Sequence, residues 1–346
     1  MKHISYPKTG QYRNVVANVL RMVTFAGLDE NGDAIYDETR EKPTIKFKGT
    51  VKLHGTNAGV CFNDTDGIYV QSRNNAFGLD KGDSHMGFTF LVKSKVQLFM
   101  NIFNAIKEQH DIDTSEYTIS VYGEWAGQGV QKTVAISELK KSFYIFGCQI
   151  SKPNDPDFTA YWVDISDMTF PESDDVWNIH EFKTYEIDID FNNPSLVQNK
   201  FIELINEVEN ECPVAKHFGV SGIGEGIVWL GEYRDTRLLF KTKGDKHAGK
   251  SKVKKVKQVD EGKLKLVNEV VDKVTPIWRL NQMFNEVTNN GKDISRKNIG
   301  PYIKMVIKDI LDEDADIISD AGLEPKDING RVSAIAKEYF FEQEKI

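Results

Sequence analysis

At 346 residues the chain is long enough to bury a sizeable core and to divide into one large and one small domain. Its composition, 40% hydrophobic and 28% charged, is that of an ordinary globular protein. The net charge of −8 excludes a protein that is basic all over, so a nucleic-acid partner would need a local positive patch.

The opening residues Met1-Lys2-His3-Ile4-Ser5-Tyr6-Pro7 contain no apolar signal-peptide run, and no later run approaches the length of a membrane span. A cytoplasmic protein with no membrane partner is expected. Cys61, Cys148 and Cys212 are widely spaced and form no Cys-x-x-Cys, which favours buried thiols in a reducing compartment over a zinc site.

From about Ile45 to Phe240 short apolar runs alternate with polar turns. Ile45, Phe47 and Val51 share one parity and Lys46, Lys48, Thr50 and Lys52 the other, so a strand there turns Lys52 away from its apolar side. Ala58 to Phe62 and Ile68 to Gln71 flank Asn63-Asp64-Thr65-Asp66-Gly67, a hairpin signal. Tyr117 to Glu124, Ser142 to Ile150 and Gly226 to Leu230 read as further strands. Val92, Val96, Phe99, Phe103 and Ile106 keep helical spacing. So do Val197, Phe201, Leu204, Ile205 and Val208, behind Asn193-Pro194 as cap and first turn. Hairpin-dominated strands with a few outer helices predict an antiparallel α+β domain.

After Gly262 the period becomes helical. Leu266, Val270, Val271 and Val274 form one stripe, and Thr275-Pro276 opens a second helix with Leu280, Phe284 and Val287. Tyr302, Met305, Val306 and Ile310 make a third, and Asp327 is placed to cap a last one with Val332, Ile335, Ala336, Tyr339 and Phe340 inward. The expected division is 1–258 and a small all-helical domain over 262–346, with a linker near Gln258 to Gly262.

The chemistry lies in short segments. Lys52, in Lys52-Leu53-His54-Gly55-Thr56-Asn57, is a lysine at a strand end before a glycine turn. Such a residue is usually solvated, but one held in a pocket among other cations becomes a nucleophile. Lys241 and Lys243 share a face of one strand and are spaced to flank a phosphate. They would neutralise charge there and, by like-charge repulsion, lower the pKa of Lys52. Glu124 sits between glycines in Gly123-Glu124-Trp125-Ala126-Gly127, where a ligand can approach the backbone. In Phe143-Tyr144-Ile145-Phe146-Gly147, Tyr144 and Phe146 share one face, Phe143 and Ile145 the other; one face is core and the other is free to line a pocket.

Lys52-Leu53-His54-Gly55-Thr56-Asn57 resembles motif I of the covalent nucleotidyltransferases, and its histidine is similar to the branch around the RNA ligase 2 family and the RNA-editing ligases. Val121 to Gly127 resembles motif III, Glu225-Gly226-Ile227-Val228-Trp229 motif IV and Lys241-Thr242-Lys243 motif V, in the family's order. The resemblance runs to about Lys257. It implies an antiparallel-sheet nucleotidyltransferase (ATP-grasp-like ligase) domain followed by the helical tail. It also implies an ATP-dependent RNA ligase with Mg²⁺, for which Mn²⁺ would substitute. Lys52 would form a lysyl–AMP, pass the AMP to a 5′-phosphate of RNA, and a 3′-hydroxyl would then displace it. Arg73 would contact phosphate, Glu124 a ribose hydroxyl, Phe146 the adenine, and Glu225 the metal, directly or through water. His54 and Asn57 would orient phosphate or metal-bound water. A monomer acting on duplex nicks or broken RNA is expected, phage-like in character.

One departure stands out: the RNA ligase 2 branch commonly has glutamate before the lysine, where this chain has Val51. A DNA ligase or a capping enzyme would share Lys52 but usually continues into a β-rich OB module. A non-catalytic relative would keep only the eight lysines between Lys241 and Lys257, opposed by Asp245 alone, as a nucleic-acid contact. Gly244-Asp245-Lys246-His247-Ala248-Gly249-Lys250-Ser251 also fits the Walker A pattern, but the strand–helix alternation that a P-loop needs does not follow it.

Overall fold

The computed structural model describes residues 1–344 apart from 29–31, 33, 81, 83–84, 156, 172, 245–259, 289 and 292–293. In chain order the strands are β1 (Gly10–Gln11), β2 (Phe25–Leu28), β3 (Ala34–Tyr36), β4 (Thr44–Lys52), β5 (Thr56–Asn63), β6 (Gly67–Ser72) and β7 (Ala76–Gly78). They continue with β8 (Thr118–Ala126), β9 (Ser142–Ser151), β10 (Tyr161–Val163), β11 (Val176–Asn178), β12 (Thr184–Asp190), β13 (Gly226–Tyr233) and β14 (Thr236–Lys243). The helices are α1 (Tyr12–Thr24), α2 (Phe88–Ser94), α3 (Val96–His110), α4 (Gln198–Asn210) and α5 (Pro213–His217). Five more follow: α6 (Glu261–Val274), α7 (Ile277–Val287), α8 (Ile299–Glu313), α9 (Ala315–Asp320) and α10 (Pro325–Glu344).

Contacts group the chain into two compact units, Met1–Val15 with Lys46–Asp188 and Lys200–Val256, and Val16–Ile45 with Ile189–Asn199 and Lys257–Ile346. The first carries two sheets. One has the order β1-β14-β13-β4-β12, with β13 antiparallel to both β14 and β4. The other runs β10-β9-β8-β5-β6-β7, with β11 also on β9. The fold is α+β, built largely from antiparallel pairs, as the hairpin pattern predicts.

Each sheet buries one face. On the first, Phe47, Trp229 and Phe240 are fully buried against Phe201 of α4, and the Trp229 indole donates to Thr242 Oγ1 at 2.9 Å. On the second, Val60, Val121, Phe143 and Ile145 pack against Phe88 and Val92 of α2 and Phe99 and Phe103 of α3. Alternation then sends the intervening residues of both sheets to their other faces. Those faces line a cleft. The β4 strand follows the predicted parity, with Ile45, Phe47 and Val51 buried and Lys46 and Lys48 exposed.

In the second unit the predicted stripes meet. Val270, Val271, Val274, Leu280, Phe284, Tyr302, Val306, Ile310, Val332, Ala336 and Phe340 form one core. Asp260 caps α6 by accepting from the Lys263 amide at 2.9 Å.

Several local expectations are corrected. The helix read through Val92 and Val96 is two helices broken at Lys95, whose φ of −122° leaves the helical range, and Val96 is 37% exposed. Asn193-Pro194 does not start α4. The amides of Asn193, Leu196 and Gln198 close tight turns on carbonyls three residues back, and the helix begins at Gln198. Asp327 lies inside the first turn of α10, where its Oδ2 accepts from the Glu324 amide at 2.9 Å. Neither α1 nor α9 was anticipated, although Val15, Val19 and Val23 of α1 are buried at i, i+4 spacing. All three cysteines are free and buried, and among the described residues no helix is long and apolar enough to cross a membrane.

Phe340 is fully buried and meets Phe284 and Tyr302 edge-on or tilted. Phe340→Ala is expected to cost about 3–5 kcal/mol of unfolding free energy. Urea titration followed by far-ultraviolet circular dichroism would check this; a cost below 1 kcal/mol would mean the helical core does not depend on that ring.

Candidate active site

The site is built by register. Gly226 of β13 lies opposite Lys52 on β4 and opposite Lys243 on β14. With strands about 4.8 Å apart, the two lysine backbones sit about 10 Å apart across a position with no side chain. Gly226 is required there, because its φ is 149° and an added Cβ would fall 2.1 Å from the Thr242 carbonyl oxygen. The next residues on that face are Thr50, Val228 and Lys241. The face is therefore a trough, apolar along β13 and cationic along both flanks.

Glu225, just before Gly226, reaches back between the two lysines. Lys52 Nζ donates to its Oε2 at 2.7 Å, and Lys243 Nζ pairs with Oε1 at 2.5 Å. His54 Nδ1 stands 3.3 Å from Oε2. The carboxylate is 3% exposed, and burial alone would raise its pKa. The ammonium groups of Lys52 and Lys243 more than offset burial and hold it below the ordinary range. Burial, then the like charges of Lys243 and Lys52, lower the pKa of Lys241.

Glu124 enters from the other sheet. Its Oε1 accepts the Gly55 amide at 2.9 Å, which ties the turn after Lys52 to β8. Gly55 must be small, since an added Cβ would lie 2.4 Å from the Trp125 carbonyl oxygen. Burial raises the Glu124 carboxyl to about 7, and the nearby Glu225 adds to this while Lys52, the Gly55 amide and Arg73 oppose it. Asn57 pairs with Glu124 across β5 and β8, and its carbonyl accepts from His85 Nε2 at 3.0 Å. Arg73, exposed, follows directly after β6.

Phe146 is the extra residue of a β-bulge. Tyr122 pairs with Gly147 and Gly123 with Ile145, leaving Phe146 without a partner in the ladder. Bulges re-aim side chains beside functional sites. Here Phe143 and Ile145 stay in the core while Tyr144 and the half-buried Phe146 line the cleft, as parity predicts.

The cleft has a volume of about 1120 Å³ and brings together all nine residues singled out in the sequence: Lys52, His54, Asn57, Arg73, Glu124, Phe146, Glu225, Lys241 and Lys243. It also exposes residues that sequence reading missed. Tyr6, Trp162 and Arg237 form part of the wall, with the Arg237 guanidinium 3.9 Å from the Trp162 ring centroid. The parity of Arg237 with Lys241 and Lys243 was legible in the sequence; Tyr6 lies in a segment with no periodic signal. Val51 faces the buried side of the sheet.

For a divalent cation, Glu225 and Glu124 are the carboxylates beside Lys52, while Asp164, Glu232 and Asp235 line other parts of the cleft. Both oxygens of Glu225 already meet cationic side chains, and no group of three or more metal-ligating side chains occurs among the described residues. The residues present therefore fit a cation held largely by phosphate oxygens and water, as magnesium usually is. The run from Asp245 to Lys257, including Lys250 and the rest of the Walker-like stretch, lies outside the described residues, as do Gln258 and Val259 of the expected linker. The strand before that run, β14, pairs antiparallel with β13 along its length and in parallel with β1 over two residues alone, which is not the parallel sheet of a P-loop.

A cleft between two sheets, floored by paired lysines and walled by aromatics, has the chemistry that a phosphorylated aromatic ligand would need. The RNA ligase family model matches residues 45–243, and the chain belongs to that family. Three solved structures with partial backbone similarity are of one Naegleria gruberi RNA ligase. The form with pyrophosphate is 16% identical with a TM-score of 0.39, and a point variant with AMP and manganese is 15% identical with a TM-score of 0.41. A second variant, with ATP and manganese, is 16% identical with a TM-score of 0.40. In each case the match covers 70% of this chain and 57% of the other, so the chain spans little more than half of those proteins. No curated protein matches this chain.

The Glu124 carboxyl gives a pH test. Its pKa is raised from 4.5 to about 7, so the folded chain holds that proton more tightly than the unfolded one. Stability therefore falls as pH rises through that window. Glu124→Gln keeps an acceptor for Gly55 and removes the penalty. It should match the wild type near pH 4.5 and exceed it at pH 8 by on the order of 1 kcal/mol. Urea denaturation at the two pH values decides; a less stable variant at pH 8 would contradict the burial argument.

Proposed function

We propose that the protein is an ATP-dependent RNA ligase that works through a lysyl–AMP intermediate on Lys52. The observation that carries this reading is the register that places Lys52, Gly226 and Lys243 side by side around the buried carboxylate of Glu225. Membership of the RNA ligase family supports it, and so do the order and convergence of the nine cleft residues.

In the first step Lys52 Nζ, as the neutral amine, attacks the α-phosphorus of ATP; a phosphorus–nitrogen bond forms, the bond from that phosphorus to the bridging oxygen breaks, pyrophosphate leaves and one amine proton passes to solvent. The 5′-phosphate of an RNA end then attacks the same phosphorus, and the lysine departs. Finally the 3′-hydroxyl of a second end attacks the activated 5′-phosphate and releases AMP. Splitting the condensation in this way divides one high barrier into lower ones. Lys241, Lys243 and Arg73 neutralise phosphate charge, Glu225 fixes the amine of Lys52 and the orientation of Lys243, and His54 and Asn57 orient phosphate or metal-bound water. Phe146 stacks on the adenine, and Glu124, at the turn, takes a ribose hydroxyl. Glu225 would help to hold magnesium or manganese, directly or through water, and the cation would supply further charge neutralisation.

Residues 1–258 would carry this chemistry, with the helical segment 262–346 assisting in engaging the RNA, most simply a nick in a duplex. A helical continuation after β14, rather than a β-rich module, favours this over a DNA ligase or a capping enzyme among the described residues.

Incubation with α-labelled ATP and magnesium tests the reading. Wild type should retain label on the denatured chain, Lys52→Ala should fall to background, and Lys243→Ala should lose about 10²-fold or more. Lys250→Ala should label normally. Label on Lys52→Ala would refute the site, and preferential labelling from GTP would move the activity to capping.

A further inference from the structure

The wall opposite the lysine trough depends on a residue that no part of the proposed chemistry uses. Residues 1–11 form an arm that crosses from one sheet of the cleft to the other. On the second sheet it is held by a series of hydrogen bonds. The Tyr69 hydroxyl donates to the Lys2 carbonyl at 3.0 Å, and His3 Nε2 to the Ser72 carbonyl at 3.0 Å. The buried Gln71 side chain acts as a backbone mimic, accepting from the Ile4 amide at 3.1 Å and donating to its carbonyl at 2.7 Å. The Tyr122 hydroxyl donates to that same carbonyl at 2.8 Å. Four residues after Tyr6 the arm joins the first sheet, where Gly10 and Gln11 pair in parallel with Phe240 and Lys241.

Tyr6 lies between these two anchors, and its ring meets three aromatic side chains. Phe146 is 5.0 Å away at 67°, Tyr122 5.1 Å at 61° and Trp162 5.3 Å at 80°, all edge-to-face. The Arg237 guanidinium, stacked on Trp162, approaches the Tyr6 ring at 5.9 Å. Phe146 is the bulged residue of β9 and has no partner across the ladder to fix its direction. A side chain without a cross-strand neighbour keeps one orientation only if something else packs on it. Tyr6 is that neighbour.

We propose that Tyr6 is a positioning residue for the nucleotide. Delivered by the anchored arm, it holds Phe146 edge-on so that the face of the Phe146 ring is presented to the purine of the incoming ATP. This rests on the proposed role of Phe146 and gives the arm a part in substrate binding, not only in the fold. Tyr6 acts through Phe146, and Arg237 with Trp162 braces Tyr6 in turn.

The test is a double-mutant cycle on ATP binding, with single-turnover labelling of Lys52 as a second readout. Tyr6→Ala should raise the half-saturating ATP concentration about fivefold to tenfold and leave the maximal labelling rate within about twofold. Tyr6→Phe, which keeps the ring and loses the hydroxyl, should restore ATP affinity to within about twofold of wild type. In a Phe146→Ala background, adding Tyr6→Ala should change affinity by less than about twofold, since the residue it positions is gone. Losses that simply multiply, a Tyr6→Phe variant as weak as Tyr6→Ala, or a Tyr6→Ala variant with unchanged ATP dependence would each overturn the proposal. So would a lower melting temperature for Tyr6→Ala with no change in ATP affinity. Equilibrium binding of ATP needs no covalent step. A wild type that binds ATP without becoming labelled would therefore sink the lysine chemistry while the cycle still reads Tyr6.

Discussion

The site depends on one buried carboxylate shared by two lysines. Glu225 is 3% exposed and would be costly to bury alone, since an unpaired charge in a protein interior loses its hydration without compensation. Lys52 and Lys243 compensate it from opposite sides, and the glutamate in turn fixes both amines on one face of the sheet. That mutual dependence needs three strands in one register and a glycine in the middle. A one-residue slip of either neighbour would turn its lysine to the buried side, against Trp229 and Phe240. The aromatic packing beneath the sheet and the ionic arrangement above it are thus two consequences of one register.

The second sheet solves a different problem. Its β8 and β9 strands are buried almost throughout, so the ladder itself offers little room for a ligand. Room is made by the irregularity at Tyr122 and Gly123, which frees Phe146 from pairing, and by Glu124, which turns its carboxylate toward the loop after Lys52. Glu124 and Glu225 face one cleft with opposite responses: burial dominates at the first and raises its pKa, while ion pairing dominates at the second and lowers it. Such divergence between neighbouring carboxyls is characteristic of sites where charge is handled.

Much of this was readable from the residues. The parity of β4, β9 and β14 separates core from cleft side chains, and the helical stripes after Gly262 mark much of the core of the second unit. Local signals failed where tertiary contacts overrode them. Lys95 breaks a helix whose apolar spacing is continuous in the sequence, although both halves pack on one core, Phe88 of α2 and Phe99 of α3 each meeting Phe143. Asn193-Pro194 carries a capping signature yet heads a series of tight turns.

What the sequence by itself determined is nine of the side chains that meet in the cleft and, for those on strands, which face they take, because alternation is a property of the backbone and needs no partner. What only the tertiary structure decided is adjacency. That Lys52 and Lys243, 191 positions apart, bracket the same glycine follows from pairing register, and that Tyr6 braces Phe146 follows from the path of an arm with no periodicity to announce it. Both are set by long-range packing, which no local pattern encodes.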